Sequence, residues 1–272
     1  MAKAELLFVG TDTGLLQYSN PGGIDRWLRS GHSLPGSDIV AIWAHPYDPT
    51  QLLCSDGEQL YESSDGGQHW SDPIELGITA FIASQSSPER ILARTDSDAI
   101  LSTDSGENWR RIAPADRIAA ANDVLTLSTA LRAHTSSDGG ASWQPDEPWR
   151  YRAASHDGVY VAGVSLTGVC TINGGAIEPA PISVRAIAVC SGTAPRIICS
   201  DGITVWAYDQ AWQRIADAPG LILLTNTTYH PDRLWGADKA GTLWYSANRG
   251  VTWEAIKTQL GTINAIVVAR LR

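Results

Sequence analysis

Four arginines recur at a common spacing in an otherwise acidic chain. Arg150 follows Arg117 by 33 residues, and Arg185 follows Arg152 by the same interval. Arg152 and Arg185 each stand one residue after an apolar or aromatic residue, Tyr151 and Val184. Arg117 and Arg150 stand one residue before the same strand register. Such repetition would gather all four on one side of a shared mouth. Planar guanidiniums suit bidentate capture of a carboxylate or phosphate, and Trp149 would add a stacking face. The competing reading pairs each arginine with a nearby acid, Asp146, Glu147 or Asp116. His32 is a further candidate contact on that face.

Other residues offer less. Asp12, Asp56, Glu58, Asp96, Asp98, Asp201 and Asp238 fall in turn-like contexts, where Asp-Gly and Asp-x-Gly are ordinary. A ring of such carboxylates would suit a cation or a basic partner. The six histidines show no metal-ligand spacing, so no metal is expected. No phosphate loop, dinucleotide glycine motif or nucleophile elbow is present, and no cofactor is expected. A net charge of −9 argues against general binding to nucleic acid or anionic membrane. No apolar run is long enough to span a bilayer. Four cysteines without CxxC spacing read as buried free thiols, and with no signal-like start a cytoplasmic location is expected.

The elements that would position these arginines announce themselves through a repeated turn, Ser-x-Asp-x-Gly-x-x-Trp. It occurs as Ser63, Asp65, Gly67, Trp70; as Ser102, Asp104, Gly106, Trp109; and as Ser136, Asp138, Gly140, Trp143. A fourth copy, Ser246, Asn248, Gly250, Trp253, has Asn for Asp. The carboxylate accepts backbone N–H groups of a tight turn. The glycine supplies a positive φ. The Trp opens the next strand and buries a large ring, its N–H free for a partner. The role is mechanical: a locked hairpin between outer strands.

The motif Trp or its nearest equivalent falls at Trp27, Trp70, Trp109, Trp143, Glu178, Trp212 and Trp253, spaced by 34 to 43 residues. That spacing fits propeller blades of four short strands. The fifth unit lacks the Trp, and the sixth has lost the Ser and Gly. First strands carry an apolar or aromatic residue followed two places later by Ala: Ile39/Ala41, Ile78/Ala80, Ile118/Ala120, Tyr151/Ala153, Val184/Ala186 and Ile263/Ala265, with Leu221/Leu223 the exception. Small residues suit strands crowded around an axis. The run Thr262–Ala269 is an inner strand without outer ones. Leu6–Val9, Leu15–Ser19 and Trp27–Arg29 are outer strands without an inner one. Joining them closes a ring and removes its open edges. The expectation is one all-β, seven-bladed propeller of four-stranded antiparallel blades, with units at 262–272 plus 4–29, 38–72, 77–112, 117–145, 150–178, 183–215 and 221–257.

The quoted motifs resemble the Asp-box, or BNR, repeats of sialidases, seven-bladed xyloglucanases, the sortilin ectodomain and photosystem II assembly factors. These relatives share a scaffold and differ in activity. The sialidase arginine triad, Tyr/Glu pair and acid Asp find no match in this chain, and the Arg-Ile-Pro signature is absent. The resemblance in architecture is strongest with the single-ring assembly factor, which implies binding rather than catalysis. The expected function is therefore non-enzymatic recognition of a protein or peptide, or of a small anionic ligand, around the channel. The alternative is a carbohydrate-active protein, either a lectin or a divergent glycoside hydrolase. A hydrolase would need two carboxylates about 5–10 Å apart across a pocket.

Overall fold

A computed structural model describes residues 5–21, 26–83, 87–121, 123–227 and 229–270. Seven antiparallel sheets follow one another along the chain, and their first strands touch in a closed ring. No α-helix occurs among the described residues. Residues 4, 271 and 272, at the ends of the closing unit, lie outside them.

Closure works by strand donation. Blade 1 runs, from the axis outward, Ile263–Arg270, Glu5–Thr11, Gly14–Asn20 and Leu28–Ser33. The two chain ends pair antiparallel from Glu5↔Arg270 to Gly10↔Ala265. Arg233, in blade 7, reaches Glu5 Oε2 at 2.5 Å across the closing interface. Five further blades have four strands. In blade 2 the strands Ala41–Ala44, Leu52–Ser55 and Leu60–Ser63 are followed only by a bridge, Leu60↔Ile74. Ser71 N–H still donates to Glu62 O at 2.9 Å. Pro73, between Ser71 and Ile74, brings no backbone donor to extend that ladder.

Apolar clusters lie between neighbouring blades, built from side chains that alternate along each strand. The four cysteines are buried and unbridged. The repeated turns are locked as their residue types imply. Ser102 Oγ lies 2.7 Å from Asp104 Oδ1 and accepts the Gly106 N–H at 2.8 Å. Asn108 N–H donates to Asp104 Oδ1 at 2.9 Å. Ser136, Asp138 and Gly140 repeat this, and Asn248 takes the Asp role in the last copy.

The glycine has a second duty. Gly106 has φ +104°, and a Cβ there would come within 2.7 Å of Leu53 Cδ1 in the preceding blade. A Cβ on Gly250 would come within 3.0 Å of Ile198 Cδ1. The turn glycine thus seats one blade against the one before it. The Trp N–H expectation fails in three copies: the indole nitrogens of Trp70, Trp109 and Trp143 are enclosed with no partner. Trp253 donates, to Gly250 O at 3.1 Å, and Trp212 of the sixth unit donates to Glu178 O at 2.9 Å.

Candidate functional site at the channel mouth

Each inner strand begins with a buried anchor followed by a residue facing the mouth. The anchors include Ile39, Ile78, Ala115 and Val184, at most 5% exposed. The next residue closes its amide on the second strand's last carbonyl: Val40 on Ser55, Thr79 on Arg94, Asp116 on Ser128 and Arg185 on Ser200, at 2.7–2.9 Å.

Trp149 is the anchor of blade 5. Its ring is 4% exposed and packs on Ala119 and Ala133. It therefore offers no open stacking face, contrary to the sequence expectation. The sequence pattern points to Tyr151 as the anchor of blade 5, whereas the anchor is Trp149 and a bulge separates the two. Arg150 follows Trp149 as Arg185 follows Val184, so these two arginines are equivalent in adjacent blades. Asp116 holds the position in blade 4.

The expected cluster of four accordingly separates. Arg150 and Arg185 are exposed at the mouth, and neither forms an ion pair with a described residue. Lys239 joins Arg185: a Cβ on Gly202 would lie 3.5 Å from Lys239 Cε and 3.9 Å from Arg185 Cδ. Arg152 instead pairs with Asp146 at 2.9 Å and lies 5.2 Å from the Trp149 ring centroid. Arg117 pairs with Ser128 in the inner ladder, its Nη1 enclosed and unpartnered. His32 sits on the outermost strand of blade 1, with Nε2 3.2 Å from Thr13 O, and does not join them.

The other half of the mouth carries fewer charges. Val40, Thr79, Ile222 and Asn264 line a depression of about 510 Å³ with Arg94 and Asp96 on its rim. Below it, Ala41, Ala80, Ala265 and Leu223 line a channel of about 270 Å³. The small-residue pattern holds there. In blades 4 and 5 Arg117 and Tyr151 take the corresponding places.

Of the acidic loop residues, Asp56, Asp201 and Asp238 anchor turns, whereas Asp98 pairs with Arg111 at 2.7 Å. Asp56 Oδ1 accepts the Glu58 and Gln59 N–H groups at 3.0 and 2.8 Å. Asp201 Oδ1 accepts those of Ile203 and Thr204 at 2.9 and 2.7 Å. Asp238 Oδ1 accepts those of Ala240 and Thr242, both at 2.9 Å. These bonds favour the charged carboxylates, outweighing burial and lowering the Asp56 and Asp201 pKa values. Among the described residues no three His, Cys, Asp or Glu side chains form a metal-holding group.

Two features had no signal in the sequence. Asn226 Nδ2 donates to Ala154 O at 2.7 Å and Val189 O at 2.9 Å, joining inner strands of blades 5, 6 and 7. Ser191 Oγ lies 2.6 Å from His156 Nδ1, while Asp157 Oδ1 is 3.9 Å from the same nitrogen. A relay would need Ser and Asp on opposite ring nitrogens. Ser191 is also 3% exposed, so the pair is not arranged as a nucleophile.

No protein-family model matches the chain, and no curated protein matches its sequence. Solved structures do match in fold. YCF48 bound to D1 peptide is 16% identical, with a TM-score of 0.58 over 100% of this chain and 98% of that one. An ancestral GH74 enzyme is 13% identical, TM-score 0.62, over 90% of this chain and 42% of that one. KlHsv2 with loop 6CD replaced by a Gly-Ser linker is 13% identical, TM-score 0.63, over 96% and 94%. At these identities the likeness establishes the seven-bladed propeller.

Proposed function

We propose that this propeller is a non-enzymatic recognition module that binds an acidic segment of a protein or peptide at the channel mouth. One observation carries the reading: Arg150 and Arg185 occupy the same exposed position in adjacent blades, without ion pairs among the described residues, and Lys239 stands beside Arg185. Exposed guanidiniums keep their donors for an incoming carboxylate. The depression beside them has room for the neighbouring side chains of a bound segment. The similar fold of YCF48, whose structure holds a D1 peptide, supports peptide recognition on such a scaffold.

The test is titration of a fluorescein-labelled hexaglutamate peptide, read by anisotropy at low salt. Binding should weaken at least about tenfold in the Arg150→Glu/Arg185→Glu variant, the loss of two charge contacts. Equal affinity for both proteins would reject this site. A glycan array run in parallel separates the carbohydrate alternative, and binding on the array alone would favour it.

A further inference from the structure

The interface between blades 4 and 5 is not filled at the level of the second strands. In blades 2, 3 and 6 the residue two places before the closing carbonyl is Leu53, Leu92 or Ile198. Each packs on the next blade: Leu53 on Ile78 and Ile91, Leu92 on Leu125, Ile198 on Leu221 and Leu234. Blade 4 has Thr126 at this place. Only the small cluster of Ala119, Ala133 and Trp149 spans from blade 4 to blade 5 among the described residues. Gly163, facing Thr126 from blade 5, contributes no side chain. The result is a cleft of about 330 Å³ lined by Thr126, Val124, Val161, Gly163, Thr171 and Arg152 among others.

The chemistry of the cleft is specific. Arg152 spends Nη1 on Asp146, and no described residue accepts from its Nε or Nη2. Neither nitrogen is among the enclosed, unpartnered atoms, so both are open to an incoming acceptor. The Arg152–Asp146 pair is neutral as a unit, which removes most of the preference for an anion. Val124 and Val161 supply apolar walls, and the Thr171 hydroxyl has no described partner.

We infer that the cleft between blades 4 and 5 binds a small uncharged molecule with an apolar body and a carbonyl oxygen. The oxygen accepts from Arg152, and the body lies against Val124 and Val161. The site is separate from the channel mouth and stands whether or not the mouth binds acidic peptides.

Pivalamide and pivalate share a shape and differ in charge, so they are the probes. Titrated into the ¹⁵N-labelled protein, pivalamide should shift the amides of Val161, Gly163 and Thr171 saturably, with pivalate weaker. Thr126→Leu gives blade 4 the leucine that blades 2 and 3 carry at this place and should abolish those shifts. Arg152→Lys keeps the charge and loses the fork, and should weaken pivalamide about tenfold, the worth of one charge-assisted hydrogen bond. It also keeps the test decisive if Thr126→Leu fails to fold. Absence of saturable shifts at these amides, tighter binding of pivalate, or undiminished binding in either variant would overturn the inference.

Discussion

Ile78 and Trp149 hold the same station in different blades. Each donates its backbone N–H to a serine hydroxyl of the preceding blade, Ile78 to Ser55 Oγ at 3.3 Å and Trp149 to Ser128 Oγ at 3.2 Å. Trp149 is therefore a packing residue. Trp149→Ala should cost about 3–5 kcal/mol, as for other buried aromatics. Trp149→Leu, closer to the anchors of other blades, should lose much less. Urea unfolding of the two variants checks this, and equal losses would contradict the assignment.

The repeated turns predict an acid limb in stability. His69 N–H, then its ring, hold Asp65 at about 2. The Ser142 hydroxyl and N–H hold Asp138 well below the usual carboxylate range, and the Asn108 side chain lowers Asp104. Folded values below unfolded ones mean stability that is present above about pH 4 and lost as pH falls toward 2. Asn248 fills the same role without titrating. The triple variant Asp65→Asn/Asp104→Asn/Asp138→Asn should flatten urea midpoints between pH 5 and 2.5. A slope parallel to the parent's would reject the account.

Much of this fold was readable because the turn chemistry recurs in four units and strand alternation in all seven. Leu6–Val9 and Leu15–Ser19 fall within Glu5–Thr11 and Gly14–Asn20, and the run from Thr262 supplies the inner strand Ile263–Arg270. Legibility failed in blades 4 and 5, whose buried anchors are Ala115 and Trp149 rather than Ile118 and Tyr151. The pattern therefore aligned Arg152 with Arg185, whose counterpart is Arg150. The shortened outer edge of blade 2 depends on Pro73, a single residue. Contacts such as Arg233 with Glu5 join positions 228 residues apart. No local pattern encodes such a pairing, so the cation site was legible only as a concentration of arginine. Its membership required the registers.

Ring closure should be sensitive to that same ion pair. The Glu5 side chain is 5% exposed and that of Arg233 17%. Removing one partner from a buried pair typically costs about 3–5 kcal/mol, because the other charge stays enclosed. Arg233→Met should show that loss, and Arg233→Met/Glu5→Leu should recover part of it. Urea midpoints for the single and double variants measure the difference. A double variant no more stable than the single one would place the loss elsewhere.

Asn226 yields the sharpest sign. Its amide gives both N–H groups to carbonyls, Ala154 O and Val189 O, from two other blades. Asn226→Ala removes the donors and leaves two acceptors to find water, at about 1–3 kcal/mol. Asn226→Asp does more harm at neutral pH, since a carboxylate faces two carbonyl oxygens with nothing to donate. Protonation restores one donor, so the folded state raises this carboxyl's pKa above its unfolded value near 3.9. The contribution of the protonated form is then fully present below that unfolded value and lost as pH rises through the folded one. Melting temperatures at pH 7 and pH 4 should therefore rank Asn226→Asp below Asn226→Ala at pH 7 and bring the two together at pH 4. Identical ranking at both pH values would show that the bridge does not depend on the amide's donors.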